Sequence, residues 1–348
     1  MPTATPVRRI SFREAQIEMA HGAGGKASRR LVEGLFAPLL FGSSPGPLGD
    51  AAHIQIDGTK IAMTTDSFVV KPLRFPGGSI GELAINGTVN DLAVSGARAE
   101  AIVVSFVLEA GLPTEILEAE VRAMGQAAEK AGVRIAGGDT KVVEHGKADG
   151  MFLCTTGVGR ALSGVEITPQ SVRPGDKVLL SGPLGDHGIT ILLARGELDI
   201  EAELCSDTRS VFPLVQALVN ECGEGVRWMR DPTRGGAATS LNELARDCGL
   251  GIVLFEEKIP VRDSVRGACE LLGLDPLHIA NEGQFVAIVS AEHADTALKT
   301  LRASPGGELA EMIGEVREQP ESAVLVTTLY GGSRIVDMLV GDPLPRIC

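Results

Sequence analysis

The stretch Arg230-Asp231-Pro232-Thr233-Arg234-Gly235-Gly236 decides how this chain is read. An apolar run ends on an aspartate, a proline follows, and a glycine pair leads into a helical pattern from Gly236 to Cys248. An acid is thereby set at the junction of two elements, where a ligand can be met. The pattern recurs in Gly49-Asp50-Ala51, Thr64-Thr65-Asp66-Ser67, Asn90-Asp91-Leu92 and Gly137-Gly138-Asp139-Thr140-Lys141, each placing an aspartate at the end of an apolar element. A single such aspartate is more often a helix cap than a ligand. Five beside glycine or threonine fit a site where Mg²⁺ meets nucleotide phosphates through a few carboxylates and water. Spacing alone does not show that they converge.

Helical spacing runs from Ser28 to Leu40, and Gly81 to Ser95 reads as a helix with small residues on one face. Pro113 to Gly132 reads as a helix between a first-turn proline and a terminating glycine. Lys60–Thr65, Ser67–Val70, Ala101–Leu108, Val133–Ala136 and Met151–Val158 are expected strands. A turn-rich linker from Pro169 to Asp176 separates this half from a second. That half opens on a strand, Lys177–Ser181, then a glycine loop and a helix from Gly188 to Arg195. Helices over Arg209–Gly223 and Gly236–Cys248 follow, with strands over Ile252–Phe255, Phe285–Ser290 and Ala323–Thr327. The expected units are an extension over 1–18, domains over 19–165 and 175–337, and a tail over 338–348.

Three further features carry chemistry. His21-Gly22-Ala23-Gly24-Gly25-Lys26 is a loop of the kind that presents backbone N–H groups to phosphate. It lacks the Ser or Thr of a P-loop, and a plain glycine turn is an equal reading. Asn281-Glu282-Gly283 precedes a strand; such a glutamate is usually solvated, and is a general base if it faces a pocket. Lys141 is a phosphate contact, a proton-transfer group or a surface charge. Finally the chain ends Gly341-Asp342-Pro343-Leu344-Pro345-Arg346-Ile347-Cys348. Extended like polyproline II, its last six residues reach about 19 Å at ~3.1 Å each, with Gly331-Gly332 and Gly341 as hinges. A thiol on such a tether is either a swinging carrier or a frayed end.

At 348 residues two domains are expected. Forty-three glycines and only 3% aromatics suggest many backbone-lined loops. A net charge of −13 argues against a general nucleic-acid binder, since phosphate-backbone affinity needs clustered Lys and Arg. No apolar run reaches a membrane span, no signal pattern opens the chain, and the default compartment is cytoplasmic. None of the six cysteines forms a CxxC pair. The five internal ones read as small buried hydrophobes.

The motifs HGAGG (21–25), GDAA (49–52), TTDSFV (64–69), NDLA (90–93), AGGDTKV (136–142), DPTRGG (231–236), ANEG (280–283) and PRIC (345–348) together resemble the HypE family of hydrogenase maturation proteins. The resemblance runs from about residue 18 to the terminus. Its aspartate motifs are shared with aminoimidazole ribonucleotide synthetase, selenophosphate synthetase and thiamine-monophosphate kinase; PRIC is particular to HypE. The resemblance implies a two-domain α+β fold whose N-terminal sheet pairs across a homodimer, with ATP near that junction, and a flexible C-terminal tail. It implies ATP and Mg²⁺ as cofactors, a carbamoyltransferase partner HypF that loads Cys348, and a HypC–HypD complex that receives cyanide for the iron of NiFe hydrogenase. The reaction implied is ATP-dependent dehydration of an S-carboxamide on Cys348 to a thiocyanate. Cys348 carries the substrate, while Glu282 and Lys141 are candidates for the base. Asp50, Asp66, Asp91 and Asp231 would hold metal, and Gly22, Gly24, Gly25, Lys26, Asp139 and Thr140, with Asp66, Asp91 and Asp231, the nucleotide. Arg346 would serve docking to the partner or lower the thiol pKa. The other readings are a small-molecule kinase or synthetase of the same superfamily, a non-catalytic nucleotide-binding scaffold, and a redox tail.

Overall fold

The computed structural model describes residues 11–41, 48–196, 202–341, 344 and 346–348. Asp342, Pro343, Pro345 and the first ten residues, on which parts of the tail and extension readings fall, lie outside the described residues.

Two sheets organise the chain. Helices α1 (Lys26–Leu31) and α2 (Ala37–Leu40) are joined through a wide turn over Val32–Phe36 into one helical rod. Next come β1 (Ala52–Ile56), β2 (Thr59–Phe68), the short pair β3 (Arg74–Phe75) and β4 (Gly78–Ser79), α3 (Ile80–Val94), β5 (Ala97–Glu109), α4 (Thr114–Ala131), β6 (Arg134–Val143) and β7 (Met151–Ala161). The first sheet runs β1-β2-β7-β5-β6, with only β5 and β6 parallel. Its alternate residues Ala62, Ile102, Val104 and Leu153 pack under α3 and α4. Gly132, left-handed at φ 66°, ends α4 as the sequence predicts.

The second half holds β8 (Lys177–Leu180), α5 (Asp186–Ala194), α6 (Phe212–Cys222), β9 (Val226–Arg230), α7 (Gly236–Cys248), β10 (Gly251–Phe255), α8 (Asp263–Leu272), β11 (Val286–Val289), α9 (Ala294–Ala303), β12 (Glu311–Arg317), β13 (Val324–Thr327) and β14 (Ser333–Val336). Its sheet order is β14-β13-β10-β12-β8-β11-β9. Period-two alternation sends Val178, Leu180 and Ile288 to the α7 side, and Leu179, Ala287 and Val289 to α6 and α9. Ala93 and Val94 of α3 join that second layer, and Ile189, Val265 and Ile279 of the second half enter the first core, so the two halves pack together through both.

Several expectations change. Lys60–Val70 is not two strands but one, ending at Phe68. The strand expected over Val133–Ala136 runs instead from Arg134 to Val143 as β6, so Asp139 stands mid-strand rather than at an element's end. Gly331-Gly332 does not hinge the tail; it forms the turn between β13 and β14, with Thr328 N–H donating to Gly332 O at 2.8 Å. Cys205 is exposed, unlike the buried Cys222 and Cys269.

Candidate active site

Four local structures deliver acids to one place. Asp50 precedes β1, Asp66 lies near the end of β2, Asp91 is in the last turn of α3, and Asp231 follows β9. Carboxylate oxygens of Asp50, Asp91 and Asp231 all lie within 4.8 Å of one another. Thr64 Oγ1 sits 2.7 Å from Asp91 Oδ2 and 2.9 Å from the Asp50 carbonyl, its single proton serving one of them. Arg230 Nε donates to Asp50 Oδ1 at 2.6 Å, and the same guanidinium pairs with Glu243 at 3.2 Å. Asn90 faces away from its neighbour Asp91 and stitches the two halves. Its Nδ2 donates to Arg209 O (2.9 Å) and Glu282 O (3.0 Å), and its Oδ1 accepts from Val211 N–H (2.8 Å).

The electrostatics are those of a site short of positive charge. Burial pushes the Asp91 carboxyl well above its ordinary value, and Asp231, Asp50 and Asp66 push it further. Asp231 is likewise held well above, by burial and then Asp50. Asp50 and Asp66 are raised by burial against the pull of Arg230 and Arg234 respectively. Carboxylates this close repel, and a hard divalent cation held by oxygen ligands is the charge that would settle them. The donor set of Asp50, Asp91 and Asp231 fits Mg²⁺.

Beside the cluster stands Glu282, which is buried rather than solvated. Burial, then Asp231, Asp66 and Asp207, hold its carboxyl well above the usual range. Its backbone N–H donates to Asp207 Oδ1 at 3.0 Å, and Asp207, itself buried, is pushed up to about 6 chiefly by burial. Arg234 reaches across to Gly22 O at 3.2 Å. Cys348 first, then Asp66, Glu282 and Asp91, hold its guanidinium above its ordinary value.

The chain terminus ends in a neighbouring cavity, whose lining includes Arg234 but none of the clustered carboxylates. This cavity of ≈610 Å³ is lined by Gly22, Ser67, Val69, Arg234, Ile347 and Cys348 among others. The tail, expected to be flexible, is docked: Leu344 and Ile347 are buried in the first core, and Val69 N–H donates to Cys348 O at 2.9 Å. Arg346 turns its guanidinium to Asp149 and to Val69 O.

The remaining expected residues fall elsewhere. The glycine loop is not an open cradle: a Cβ on Gly24 would lie 2.6 Å from the Arg234 Cβ, and one on Gly25 would lie 2.4 Å from Leu339 O. Lys26 and Ala27 give their N–H groups to Leu339 O and Val340 O, and Lys26 Nζ pairs with Asp337 at 2.5 Å. Asp139, Thr140 and Lys141 are on β6, exposed, with Lys141 Nζ 3.1 Å from Asp139. Register runs Ser67–Cys154–Ser105–Asp139 across β2, β7, β5 and β6. Asp139 therefore shares a face with Ser67, opposite to Asp66, and stands three strands away, roughly 14 Å at ~4.8 Å per strand. Within one chain these three do not join the acidic cluster. Arg230, Arg234 and Asn90 stood inside quoted motifs without a role. Asp207 and His187 carried no signal beyond residue type, because only the fold brings them in.

The sequence matches the AIR synthase related protein N-terminal domain over residues 48–161 and the C-terminal domain of that family over 173–327. It is 48% identical to the carbamoyl dehydratase HypE of Azotobacter vinelandii over 340 residues, 98% of this chain and 99% of that one. Among solved structures, HypE in a HypE–HypF complex is 43% identical, with a TM-score of 0.84, covering 89% of this chain and 99% of that one. A HypE structure in complex with ATP is 45% identical with a TM-score of 0.80, covering 95% and 99%. A two-domain α+β fold of the AIR synthase type, a full-length match, and a C-terminal cysteine docked in a cavity with Arg234 place this chain in the HypE family of hydrogenase maturation proteins.

Proposed function

We propose that this chain is the ATP-dependent carbamoyl dehydratase of hydrogenase maturation, acting on its own terminus. The S-carboxamide on Cys348 plus ATP gives the thiocyanate, ADP and phosphate: the amide oxygen departs in the phosphate and both amide protons leave nitrogen. One observation carries the reading: the terminal Cys348 is docked inside the protein, in a cavity it lines together with Gly22, Ser67, Val69 and Arg234. A kinase of free substrates has no use for that placement.

Asp50, Asp91 and Asp231 would hold Mg²⁺, which when bound offsets the phosphoryl charge. Glu282, buried with a raised pKa, is the stronger proton acceptor of the two base candidates. Lys141 is the second, and a homodimer brings it in. Val103, Thr65 and Met63 lie exposed on the helix-free face of the first sheet, and β6 is exposed along its length. Pairing that face with a second copy would bury it and carry one copy's Asp139-Thr140-Lys141 to the other's cleft. The HypE–HypF complex of a relative supports HypF as the loading partner. A HypC–HypD complex is the proposed acceptor. Among the described residues no helix is long and apolar enough to cross a membrane.

The test is the mass of the C-terminal peptide after carbamoylation by the partner with carbamoyl phosphate, with and without Mg-ATP. Loss of one water only with ATP, abolished in Asp231→Asn, is expected. A peptide that is carbamoylated and never dehydrates overturns the reading.

A further inference from the structure

The terminus is gripped by residues that the chemistry above leaves unused. Glu109, at the end of β5, accepts from the N–H groups of Gly146 (2.7 Å), Ala148 (3.1 Å) and Gly150 (3.2 Å). One carboxylate thus shapes the loop between β6 and β7. At its tip Asp149, at φ 40°, pairs with the Arg346 guanidinium through Oδ2 and with Lys71 Nζ, at 3.1 Å, through Oδ1. Arg346 also donates to Val69 O at 3.1 Å and lies 5.8 Å from the centre of the Phe152 ring.

The second half grips the tail's backbone. His187, in the first turn of α5, lies 3.0 Å through Nε2 from Ile347 O, and 2.7 Å through Nδ1 from Ser206 Oγ. A carbonyl can only accept, so Nε2 carries the proton and the Ser206 hydroxyl donates to Nδ1. Arg195, at the other end of α5, donates to Arg346 O at 2.8 Å and to Lys71 O at 3.1 Å. Side chain and backbone of the last three residues are therefore held from two directions, by groups distinct from the carboxylate cluster.

We propose that Asp149, presented by the Glu109-braced loop, is the receptor for Arg346 and a positioning residue for the dehydration. With His187 it holds the carrier end in the cavity. This rests on the carrier reading of Cys348, because a carrier must dwell here and still leave to be loaded. An ion pair partly open to water suits that demand: it biases the docked state and remains reversible. Arg346 is then the residue that registers arrival, one position from the buried Ile347 anchor.

The test uses the full-length protein and two readouts. The rate of Cys348 alkylation by iodoacetamide, followed on the C-terminal peptide so that exposed Cys205 does not interfere, needs neither ATP nor a partner. Asp149→Asn is expected to speed it roughly fivefold, the factor a surface ion pair supplies, and Asp149→Glu to restore most of the protection. The same Asn variant, carbamoylated beforehand, is expected to dehydrate more slowly by a similar factor. Equal alkylation rates in wild type and Asp149→Asn overturn the receptor assignment. Faster alkylation supports it even if the wild type never dehydrates, an outcome that would sink only the proposed chemistry.

Discussion

The two sheets are built from the same β-branched material and finished differently. In the second sheet the inner strands are covered on both faces, exposure being left to the edge strand β14: β11 is buried at every position, and its alternate residues enter separate hydrophobic layers. In the first, one face is closed by α3 and α4, while Val103, in central strand β5, remains 44% exposed on the other. The edge strands β1 and β6 are exposed almost throughout. A buried face specifies register and core; a bare face with unpaired edges specifies a neighbour. The second region is a finished scaffold; the first leaves a face open, which the proposed homodimer would cover. The acidic cluster takes Asp50 and Asp91 from the unfinished region and Asp231 from the finished one.

The largest expected effect tests that contrast directly. Ile252, in β10, is fully buried; placing a carboxylate there costs several kcal/mol of desolvation besides about 1.5–3 kcal/mol of lost apolar burial. Against a total of about 5–15 kcal/mol, Ile252→Asp should leave no folded protein by circular dichroism. Val103→Asp, a similar change in a similar strand, should fold with stability altered by about 0.5 kcal/mol, and should turn a dimer into a monomer by light scattering. A folded Ile252→Asp, or a Val103→Asp that keeps its dimer, would erase the distinction between the two faces.

The seam between the regions gives the next largest effect. The strap carrying Asp207 crosses from the second region to the first: Ser206 N–H donates to Pro76 O at 2.9 Å, and Asn90 holds Val211. Burial and nearby Asp186 raise the Asp207 carboxyl to about 6, against the pull of Arg209 and of the N–H groups of Glu282 and Gly283. Its folded pKa thus lies above the unfolded value near 3.8, so the native state binds the extra proton in between. That contribution to stability is full below 3.8 and is lost as pH rises through about 6. At about 1.4 kcal/mol per pKa unit it is on the order of 3 kcal/mol. Asp207→Asn keeps an oxygen for the Glu282 N–H and does not titrate. Urea melts from pH 5 to 7 should show the wild type losing stability relative to the variant as pH rises. Parallel curves would mean that the carboxyl at the seam is already ionised at pH 5.

The same contrast explains what the sequence could and could not tell. Asp50, Asp91 and Asp231 were legible because each stands at a junction that glycine, threonine or proline marks locally. Glu282 kept two readings, a solvated loop residue or a base facing a pocket, because Asn281 and Gly283 look like a loop; what decides its burial includes Asp207 and Asn90, far away in sequence. Asp139 and Lys141 were grouped with the other acids by motif. Yet the period of two puts them on the bare face, a distinction that needs the register of four strands. The glycines at 24 and 25 read as a phosphate loop, since the sequence shows the absence of side chains but not what fills the space; here it is Arg234 and Leu339. The tail's reach was calculable from its prolines, whereas its anchoring by His187 and Asp149 depends on both halves being in place.

The smallest effects separate two lysines, one expected at the nucleotide and one as a candidate base. Lys26 pairs with Asp337 at a partly exposed site, an arrangement worth about 0–1 kcal/mol. Lys26→Ala should lower stability by no more than that, and should leave the KM for ATP unchanged within about twofold if Lys26 belongs to the finished contact with the 337–340 segment. Lys141 pairs with Asp139 on the bare face and is more exposed still, so Lys141→Ala should be at least as harmless to folding. Its consequence should appear only in the assembly, as a dehydration rate reduced about a hundredfold with dimerisation intact, the scale of a lost proton-transfer group. A tenfold rise in KM for Lys26→Ala would return that lysine to the phosphates. An unchanged rate for Lys141→Ala would leave Glu282 as the only base and the bare sheet as an interface without a catalytic share. Both lysines carry one charge in an ion pair with an aspartate; what separates them is that Lys26 is covered by its own chain while Lys141 stands on the open face.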